Sequence, residues 1–262
     1  MNFIVLTIFP EMFTPFWEHG IVKRAIDRNQ ILASAVNIRD YAEDRHHVTD
    51  DRPYGGGSGM VMKPEPLARA IRAAKKIAPA SGTILLTPQG RQFNQGLAQE
   101  LASSEALILV CGRYEGVDER ICHDLIDAEI SIGDYVLTGG ELAAMIIIDA
   151  VTRLIPGVLG GKDSAAKDSF SGSILEHAHY TRPRTFEGLE VPEVLLSGNH
   201  KEIENWRLET SLIRTFLKRK DLLKNRRLNQ QEIEILNKWC REIEKIIHDQ
   251  SLRGADPLSG SQ

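Results

Sequence analysis

The sequence predicts an α/β protein with a mostly parallel sheet, followed by a smaller helical region. Three observations support this fold class. Short apolar runs alternate with stretches of helical spacing through the first half of the chain, and glycine-rich segments directly follow several of those runs. Near residue 157 the composition changes to one that favours a linker and then helices. Strands that alternate with helices are typical of a parallel sheet covered on both faces.

The predicted strands are short apolar runs, and the first of them is followed by Pro10, which favours a strand leading into a helix. They occupy residues 2–9, 32–38, 83–87, 106–111 and 126–132. Helical spacing predicts helices between them over 64–78, 93–102 and 117–124, and a longer helix over 140–153 closes this half of the chain.

Residues 157–173 are rich in Gly, Ser, Lys and Asp and have no sustained apolar period, which predicts either disorder or a function that needs mobility. Beyond this linker, residues 199–220 and 229–248 place apolar side chains along one face of a helix. The predicted organisation is a catalytic α/β domain, the linker, a mainly helical domain and a disordered tail, over residues 1–156, 157–173, 174–250 and 251–262.

Composition limits the class of protein. Apolar residues make up 42% and charged residues 26%, which excludes a wholly disordered chain. The formal net charge of −4 excludes a uniformly basic nucleic-acid coat. Three scattered cysteines favour a reducing compartment, and the start does not resemble a secretory signal. The longest apolar candidate for a membrane span is interrupted by Asp149 and Arg153, so we expect a soluble cytoplasmic protein.

The segment DDRPYGGGSGM (50–60) contains three consecutive glycines, which add backbone entropy to the unfolded chain and bury no side chain. They favour either close approach of the backbone to a ligand or a loop that changes shape; the alternative is a flexible surface turn. The segment is not a phosphate-binding P-loop, because no Gly-Lys-Ser/Thr ending follows, and the dinucleotide-binding pattern GxGxxG is also absent.

Three other segments follow predicted strands: LLTPQGR, CGRYEGVDER and SIGDYVLTGGE. Ligands of parallel α/β sheets bind at the carboxyl ends of the strands, where such loops meet. Their glycines expose backbone N–H and C=O groups that can hold the edge of a purine, so the sequence predicts a small-molecule pocket. Glu115 and Asp134 in these loops are either turn residues or contacts to a cationic or hydroxylated ligand.

The second half carries a local positive charge. Eight Lys or Arg residues lie between 207 and 227, against Glu209 and Asp221. This favours a surface that binds a polyanion, with a solvated helix face as the alternative. The segment HYTRPR (179–184) adds an aromatic ring beside basic groups, consistent with base stacking and phosphate contact. Four histidines lack metal-ligand spacing and are interpreted as surface or RNA-contact residues: His46, His47, His177 and His179.

Taken together, DDRPYGGGSGM, LTPQGR, CGRYEGVDER, SIGDYVLTGGE, RLIPGVLG, DSF, HYTRP and LSGNH resemble the bacterial tRNA (guanine-N(1)-)-methyltransferase family, TrmD, of the SPOUT class. The resemblance runs from the first strand to about residue 245. It implies a sheet with a deep trefoil knot, S-adenosylmethionine held by the knot loops, and homodimers with active sites at the subunit interface. The implied target is N(1) of the guanosine immediately 3′ of the anticodon (position 37) in tRNA. No DNA or membrane partner is implied.

The resemblance also implies roles for individual residues. Asp168 matches the catalytic base and Arg153 its partner, although by local sequence alone Asp168 is a solvated linker residue and Arg153 a helix-end cation. Family members depend on Mg²⁺, but the sequence offers no dedicated metal site. The implied S-adenosylmethionine contacts are Leu86, Pro88, Gly112, Tyr114, Glu115, Ile132, Gly133, Asp134, Tyr135, Val136, Leu137, Gly139 and Gly140.

The implied chemistry is consistent with these residue types. Guanine carries a proton on N(1) at neutral pH, so a carboxylate must remove it before the nitrogen attacks a methyl group. The negative charge that develops on the 6-oxo group suits a guanidinium. Two alternatives remain open at this point: a knotted methyltransferase that acts on a ribose hydroxyl of ribosomal RNA, and a catalytically silent RNA-binding adaptor.

Overall fold

The computed structural model describes residues 1–160 and 168–253. The chain forms two compact units, Met1–Ala165 and Ala166–Gln262, which divide it inside the predicted linker. The mobility predicted for residues 161–167 and the disorder predicted for 254–262 fall outside the described residues. None of the helices described is long and apolar enough to cross a membrane.

The first unit is built on a five-stranded sheet in which every pairing is parallel, and the predicted α/β fold class is confirmed. The strand order is β2-β1-β6-β5-β7, and β3 and β4 form a separate antiparallel ribbon. The trefoil knot stays a prediction. The strands are β1 Asn2–Thr7, β2 Leu32–Asn37, β3 Asp50–Asp51, β4 Val61–Met62, β5 Gly82–Gln92, β6 Ala106–Cys111 and β7 Ala128–Ser131.

Strand β6 lies at the centre of the sheet, and all six of its residues are buried. Its continuous apolar run is what a parallel strand covered on both faces requires. The register pairs Phe3 with Leu107 and Ile4 with Ile108, so neighbouring residues of each strand point into opposite halves of the core. Each fully buried Leu or Ile there contributes roughly 1.5–3 kcal/mol relative to an exposed one.

Helices cover both faces of this sheet. Val22 of α2, Leu97 of α4 and Ile147 of α6 pack into one half of the core. Ile71 of α3 and Ile121 of α5 pack into the other half. Short 3-10 helices occupy Pro10–Phe13 and Ile38–Tyr41. The α-helices of this unit are α1 Thr14–Trp17, α2 Gly20–Asp27, α3 Pro64–Ile77, α4 Gln95–Ala102, α5 Glu119–Leu125 and α6 Glu141–Thr152.

The predicted helices at 64–78, 93–102, 117–124 and 140–153 are confirmed, and two of them begin at side-chain caps. The Asn94 side chain accepts a hydrogen bond from the backbone N–H of Leu97 at 3.0 Å, and Asp118 accepts one from the N–H of Arg120 at 3.0 Å. Such caps satisfy donors that the first helical turn leaves unpaired. Both caps fix a helix that begins beside a loop at the carboxyl edge of the sheet.

The second unit is mainly helical in its described part. The helices predicted over 199–220 and 229–248 are confirmed, with a break at Arg219. A short antiparallel ribbon and a 3-10 helix over Glu193–Leu196 precede them. The elements are β8 Thr185–Phe186, β9 Leu189–Glu190, α7 His200–Lys218, α8 Lys220–Lys224 and α9 Gln230–Arg253.

Helix α9 begins at a reciprocal capping arrangement. The Asn229 side chain accepts from the N–H of Glu232 at 2.9 Å, and the Glu232 carboxylate accepts from the N–H of Asn229 at 2.8 Å. The same carboxylate pairs with the Arg226 guanidinium at 2.7 Å, and its side chain is 4% exposed. This cluster fixes the start of α9 relative to the turn that follows α8.

Candidate cofactor pocket and catalytic turn

A cavity of about 430 Å³ lies at the carboxyl ends of β5, β6 and β7. Its size is in the usual range for small-molecule sites, and its position is the one expected for a parallel sheet. Of the predicted S-adenosylmethionine contacts, only Asp134 is not among the lining residues; its side chain is exposed on the same loop. The predicted contacts that line the cavity are Leu86, Pro88, Gly112, Tyr114, Glu115, Ile132, Gly133, Tyr135, Val136, Leu137, Gly139 and Gly140.

Gly139 and Gly140 bring two of the cavity loops into backbone contact. The N–H of Gly140 donates to the carbonyl of Gly112 at 2.9 Å, and Gly139 forms a bridge with Arg113. A Cβ at position 140 would lie 2.7 Å from the Cα of Cys111, and one at position 139 would lie 2.3 Å from Nε of Arg113. The glycine pair is therefore required for the close packing of these loops, in addition to the exposed amides that the sequence predicts.

Beneath these loops lies a buried ion pair that sequence reasoning missed. Arg113 Nη2 lies 3.0 Å from Glu141 Oε2, and Arg113 Nε donates to both carboxylate oxygens at 3.1 and 3.2 Å. The Thr7 hydroxyl donates to Glu141 Oε1 at 2.7 Å. The Glu141 side chain is 1% exposed and that of Arg113 is 18% exposed. The pair joins the end of β1, the loop after β6 and the first residue of α6.

The charges in the cavity favour a cationic ligand. Glu115, Glu119 and Glu129 line it, and Arg113, the basic residue among the lining side chains, is already neutralised by Glu141. Glu119 and Glu129 were not predicted, because in the sequence they look like ordinary surface residues of a helix and a strand. Three carboxylates make the cavity a poor site for a phosphate and a good one for a positively charged group.

Cys122 also lines the cavity, and its thiol is a poor nucleophile at neutral pH. Burial raises the pKa of Cys122 to about 11, and the charges of Glu119 and Glu129 act in the same direction. Burial also raises the pKa of Cys111 in β6, followed by the charge of Glu141. A thiol is nucleophilic only as the thiolate, so the structure does not support covalent cysteine catalysis in this cavity.

Tyr114 connects the cavity to the glycine-rich segment 50–60. Its φ of 61° lies in the left-handed region, which is uncommon for a bulky residue. Partial burial raises the pKa of the Tyr114 hydroxyl; Asp50, by charge and hydrogen bond, raises it further, and Arg39 lowers it. The N–H of Glu115 donates to the carbonyl of Met60 at 3.0 Å. A Cβ on Gly59 would lie 2.3 Å from Glu115 Oε1, so the end of the glycine segment closely approaches the cavity loop.

Asp168 lies on a compact turn of the second unit. The N–H of Ser171 donates to the Asp168 carbonyl at 3.2 Å, and the N–H of Phe170 donates to the carbonyl of Ile174 at 2.9 Å. The Arg219 guanidinium lies 5.7 Å from the centre of the Phe170 ring, an aromatic–cation contact. Asp168 is therefore held by a turn that also contacts the end of α7.

Arg153 lies at the opposite end of α6 from Glu141. It forms the C-cap of that helix, its N–H donates to the carbonyl of Asp149 at 3.2 Å, and it is exposed. The cationic side chain is favourably placed at the helix C-terminus, as the sequence suggests. The catalytic roles of Arg153 and Asp168 stay predictions.

Ion pairs neutralise part of the local positive charge between 207 and 227. Three of the eight basic residues are paired with carboxylates: Arg207 with Glu204, Arg219 with Asp221 and Arg226 with Glu232, each at 2.7 Å. Between 207 and 227, the exposed cations for which the structure shows no such carboxylate partner are Lys218, Lys220, Lys224 and Arg227. A smaller basic surface therefore remains available to a polyanion, and RNA contact there stays a prediction.

The fold and the cavity define an α/β protein with a cavity of a size suited to a small ligand at the carboxyl edge of its parallel sheet. Residues 1–225 match the family model described as tRNA (Guanine-1)-methyltransferase TrmD, and the chain belongs to this family. The resemblance that the motifs indicate is therefore confirmed.

Proteins named tRNA (guanine-N(1)-)-methyltransferase are similar to the chain over nearly their whole length. The one from Desulfatibacillum aliphaticivorans is 56% identical over 259 residues, which cover 99% of each chain. That from Carboxydothermus hydrogenoformans is 55% identical over 249 residues, 95% of this chain and 98% of the relative. One from Listeria monocytogenes is 50% identical over 241 residues, 91% of this chain and 98% of the relative.

The buried ion pair is testable by replacing its carboxylate. Glu141→Ala leaves the largely buried Arg113 guanidinium, whose side chain is 18% exposed, without its partner, and we expect it to lower the free energy of unfolding by about 3 kcal/mol. Glu141→Gln keeps an acceptor for Thr7, so its loss should be smaller. Urea unfolding followed by circular dichroism measures both.

The matched control is Glu100→Ala, which removes an ion pair to Arg91 whose two side chains are 58% and 61% exposed. Exposed pairs contribute about 0–1 kcal/mol, so this variant should be nearly as stable as the parent. Equal losses in Glu141→Ala and Glu100→Ala would contradict the importance assigned to the buried pair.

Proposed function

We propose that the protein transfers a methyl group from S-adenosylmethionine to N(1) of the guanosine immediately 3′ of the anticodon in tRNA. The observation that carries the proposal is the cavity at the carboxyl ends of β5, β6 and β7, lined by the family's motif residues in a chain that belongs to the family. The discriminating experiment is mass-spectrometric mapping of the modified base after incubation with unmodified tRNA. A methylated ribose, or no methylation, would contradict the proposal.

The residues of the cavity fit S-adenosylmethionine. Apolar side chains of Leu86, Ile132 and Leu137 offer contact surface for an adenine ring, and the loop backbones offer donors and acceptors for its edge. The carboxylates of Glu115, Glu119 and Glu129 complement a ligand with positive charge. When bound, S-adenosylmethionine supplies a methyl group already activated by a sulfonium centre.

In the proposed reaction the Asp168 carboxylate accepts the proton of guanine N(1). The released lone pair of N(1) forms the new bond to the methyl carbon, and the electrons of the carbon–sulfur bond remain on sulfur. Arg153 stabilises the negative charge that develops on the 6-oxo group. The turn that carries Asp168 is tied to α7, since the N–H of Leu175 donates to Thr215 Oγ1 at 2.9 Å. This anchoring supports a defined orientation for the base.

A homodimer with shared active sites is part of the proposal. Helix α6 is mostly buried, yet Leu142 and Ile146 are 51% and 45% exposed. They lie four residues apart and therefore on one face of the helix. Val136 of the adjoining cavity loop is 87% exposed. An apolar face that begins at the cavity supports burial by a second copy of the chain.

We further propose a cytoplasmic location, because the proposed substrate is tRNA. The family resemblance also implies Mg²⁺. Among the described residues, however, no group of three or more His, Cys, Asp and Glu is arranged to hold a metal ion. The Mg²⁺ dependence that the resemblance implies stays a prediction.

Cofactor binding is tested at Gly140. Gly140→Ala places a Cβ 2.7 Å from the backbone of Cys111, which forces the two cavity loops apart. We expect the affinity for S-adenosylmethionine to fall at least about tenfold, equivalent to about 1.4 kcal/mol. Isothermal titration calorimetry measures this, with Gly160→Ala as control because a Cβ there meets no atom of the described residues within 4 Å. Unchanged affinity in Gly140→Ala would contradict the assignment of the cavity.

The role of Asp168 as general base is tested with Asp168→Asn. The amide keeps the shape of the side chain but cannot accept the N(1) proton as a carboxylate does. Methyl transfer should fall by about 10²–10⁴-fold, the usual contribution of a general base. Affinity for S-adenosylmethionine should change less than about twofold, because Asp168 is not among the residues lining the cavity. Turnover near the parent rate would exclude the role.

Shared active sites are tested by mixing subunits. With S-adenosylmethionine well below its dissociation constant, the Asp168→Asn and Gly140→Ala homodimers are each expected to keep no more than about a tenth of the parent activity. Their heterodimer retains one complete site if the cavity and the base come from different subunits. A random equimolar mixture should then recover about a quarter of the parent activity. Purified heterodimers that show no recovery would indicate that each site lies within one subunit.

A further inference from the structure

Four aromatic rings of the second unit form a continuous surface outside the cofactor cavity. We call the rings of His177, His179, Tyr180 and Trp206 the aromatic surface. The ring centres of His177 and His179 are 4.4 Å apart, those of Tyr180 and Trp206 are 6.1 Å apart, and those of His177 and Trp206 are 6.5 Å apart. Three of the rings come from one segment and the fourth comes from α7.

Two rings of the aromatic surface are half-buried and the other two are exposed. His177 and Trp206 are half-buried, whereas Tyr180 is 50% exposed and the His179 side chain is 64% exposed. If these rings served only to pack the unit, Tyr180 would be expected to be covered. A half-exposed tyrosine held by a tryptophan beneath it presents a flat, oriented ring to solvent.

The charge around the aromatic surface is positive. Arg182 and Arg184 follow Tyr180 by two and four residues, and both are exposed. In the part of the chain that the structure describes, neither forms an ion pair with a carboxylate. From 177 to 186 the segment contains no Asp or Glu, and the carboxylate that comes near is Glu176, 3.7 Å from His179 Nε2. An exposed ring beside two guanidinium groups suits a ligand with a flat π-face and a phosphate.

We propose that the aromatic surface stacks an unpaired nucleotide of the tRNA other than the target guanosine, with Arg182 or Arg184 contacting its phosphate. Single-stranded nucleotides are bound in this way, by base stacking on aromatic rings and by phosphate contact with nearby cations. A nucleotide is favoured over an apolar protein partner, because Arg182 and Arg184 are exposed and the segment 177–186 contains no Asp or Glu. The inference rests on the proposed function and adds a second RNA contact to it.

The test compares variants of Tyr180 in binding to an unmodified tRNA transcript. Tyr180→Leu keeps apolar volume but removes the π-face, and the dissociation constant should rise about 5- to 150-fold, the range measured when a stacking ring is removed. Tyr180→Phe keeps the ring, so its affinity should stay within about twofold of the parent. Circular dichroism verifies that each variant is folded, and the arginine variants described next keep the inference falsifiable if Leu is not tolerated.

Salt dependence separates stacking from phosphate contact. Tyr180→Leu should weaken binding without altering the slope of log K against log salt, whereas Arg182→Ala or Arg184→Ala should reduce that slope by about one. Phe186→Ala serves as control, because Phe186 is an exposed ring of the same unit, 64% exposed, outside the aromatic surface. Parent-like binding by Tyr180→Leu, or equal weakening by Phe186→Ala, would overturn the inference.

The failure of this inference is distinguishable from failure of the proposed function. The parent protein is assayed for methylation of the same transcript, and binding is measured without turnover. Absence of methylation by the parent would reject the proposed function. Methylation by the parent together with parent-like affinity in Tyr180→Leu would reject only the aromatic surface as an RNA contact.

Discussion

The buried pair between Arg113 and Glu141 is the interaction on which the cofactor pocket depends. Two opposite charges removed from water stabilise a structure only when each is fully matched. Here Glu141 accepts three hydrogen bonds from two partners, and the Arg113 guanidinium also lies 4.5 Å from the centre of the Phe9 ring. Because these groups come from the loop after β6, the start of α6 and the end of β1, their pairing fixes the spacing of the backbones that surround the pocket.

The proposed donor site and the proposed RNA-binding surface carry opposite charges. The pocket of the first unit contains the carboxylates Glu115, Glu119 and Glu129, which suit a cationic donor. The second unit exposes lysines and arginines without carboxylate partners in its described residues, which suit an RNA backbone. Each binding region therefore disfavours the other substrate. Although the net charge of the chain is −4, residues 207–227 contain eight Lys or Arg residues against Glu209 and Asp221, and this local excess suits a polyanion.

The sequence could predict the central strands and most helices, because their signals are strong and local. The run ALILVC of β6 is buried on both sides, and 64–77 has a clear helical period. The bounds of helix α2 were not predicted, although Ile21, Val22, Ala25 and Ile26 follow a helical period. The extension of β5 beyond residue 87 was missed because PQGRQ carries no apolar alternation, and its pairing with β7 shifts register there.

For the site, the sequence predicted most of the residues that line the cavity but not the contacts between residues far apart in the chain. Motif residues after the strands meet in one cavity because parallel strands end at one edge, whereas Asp134 shares the loop without lining the cavity. Glu141 could not be predicted as a buried partner of Arg113, because the two are 28 positions apart and no local pattern relates them. The aromatic surface likewise depends on Trp206 reaching a segment more than twenty residues before it.

The inert thiol of Cys122 has a consequence for the lifetime of the enzyme. A pocket proposed to hold an alkylating donor would be at risk if it also exposed a strong sulfur nucleophile, since transfer to sulfur would permanently cap the side chain. With a pKa of about 11, only about one molecule in ten thousand carries the thiolate at pH 7. Burial of the Cys122 thiol, and to a smaller extent the charges of Glu119 and Glu129, thus keep this sulfur protonated beside the proposed donor site.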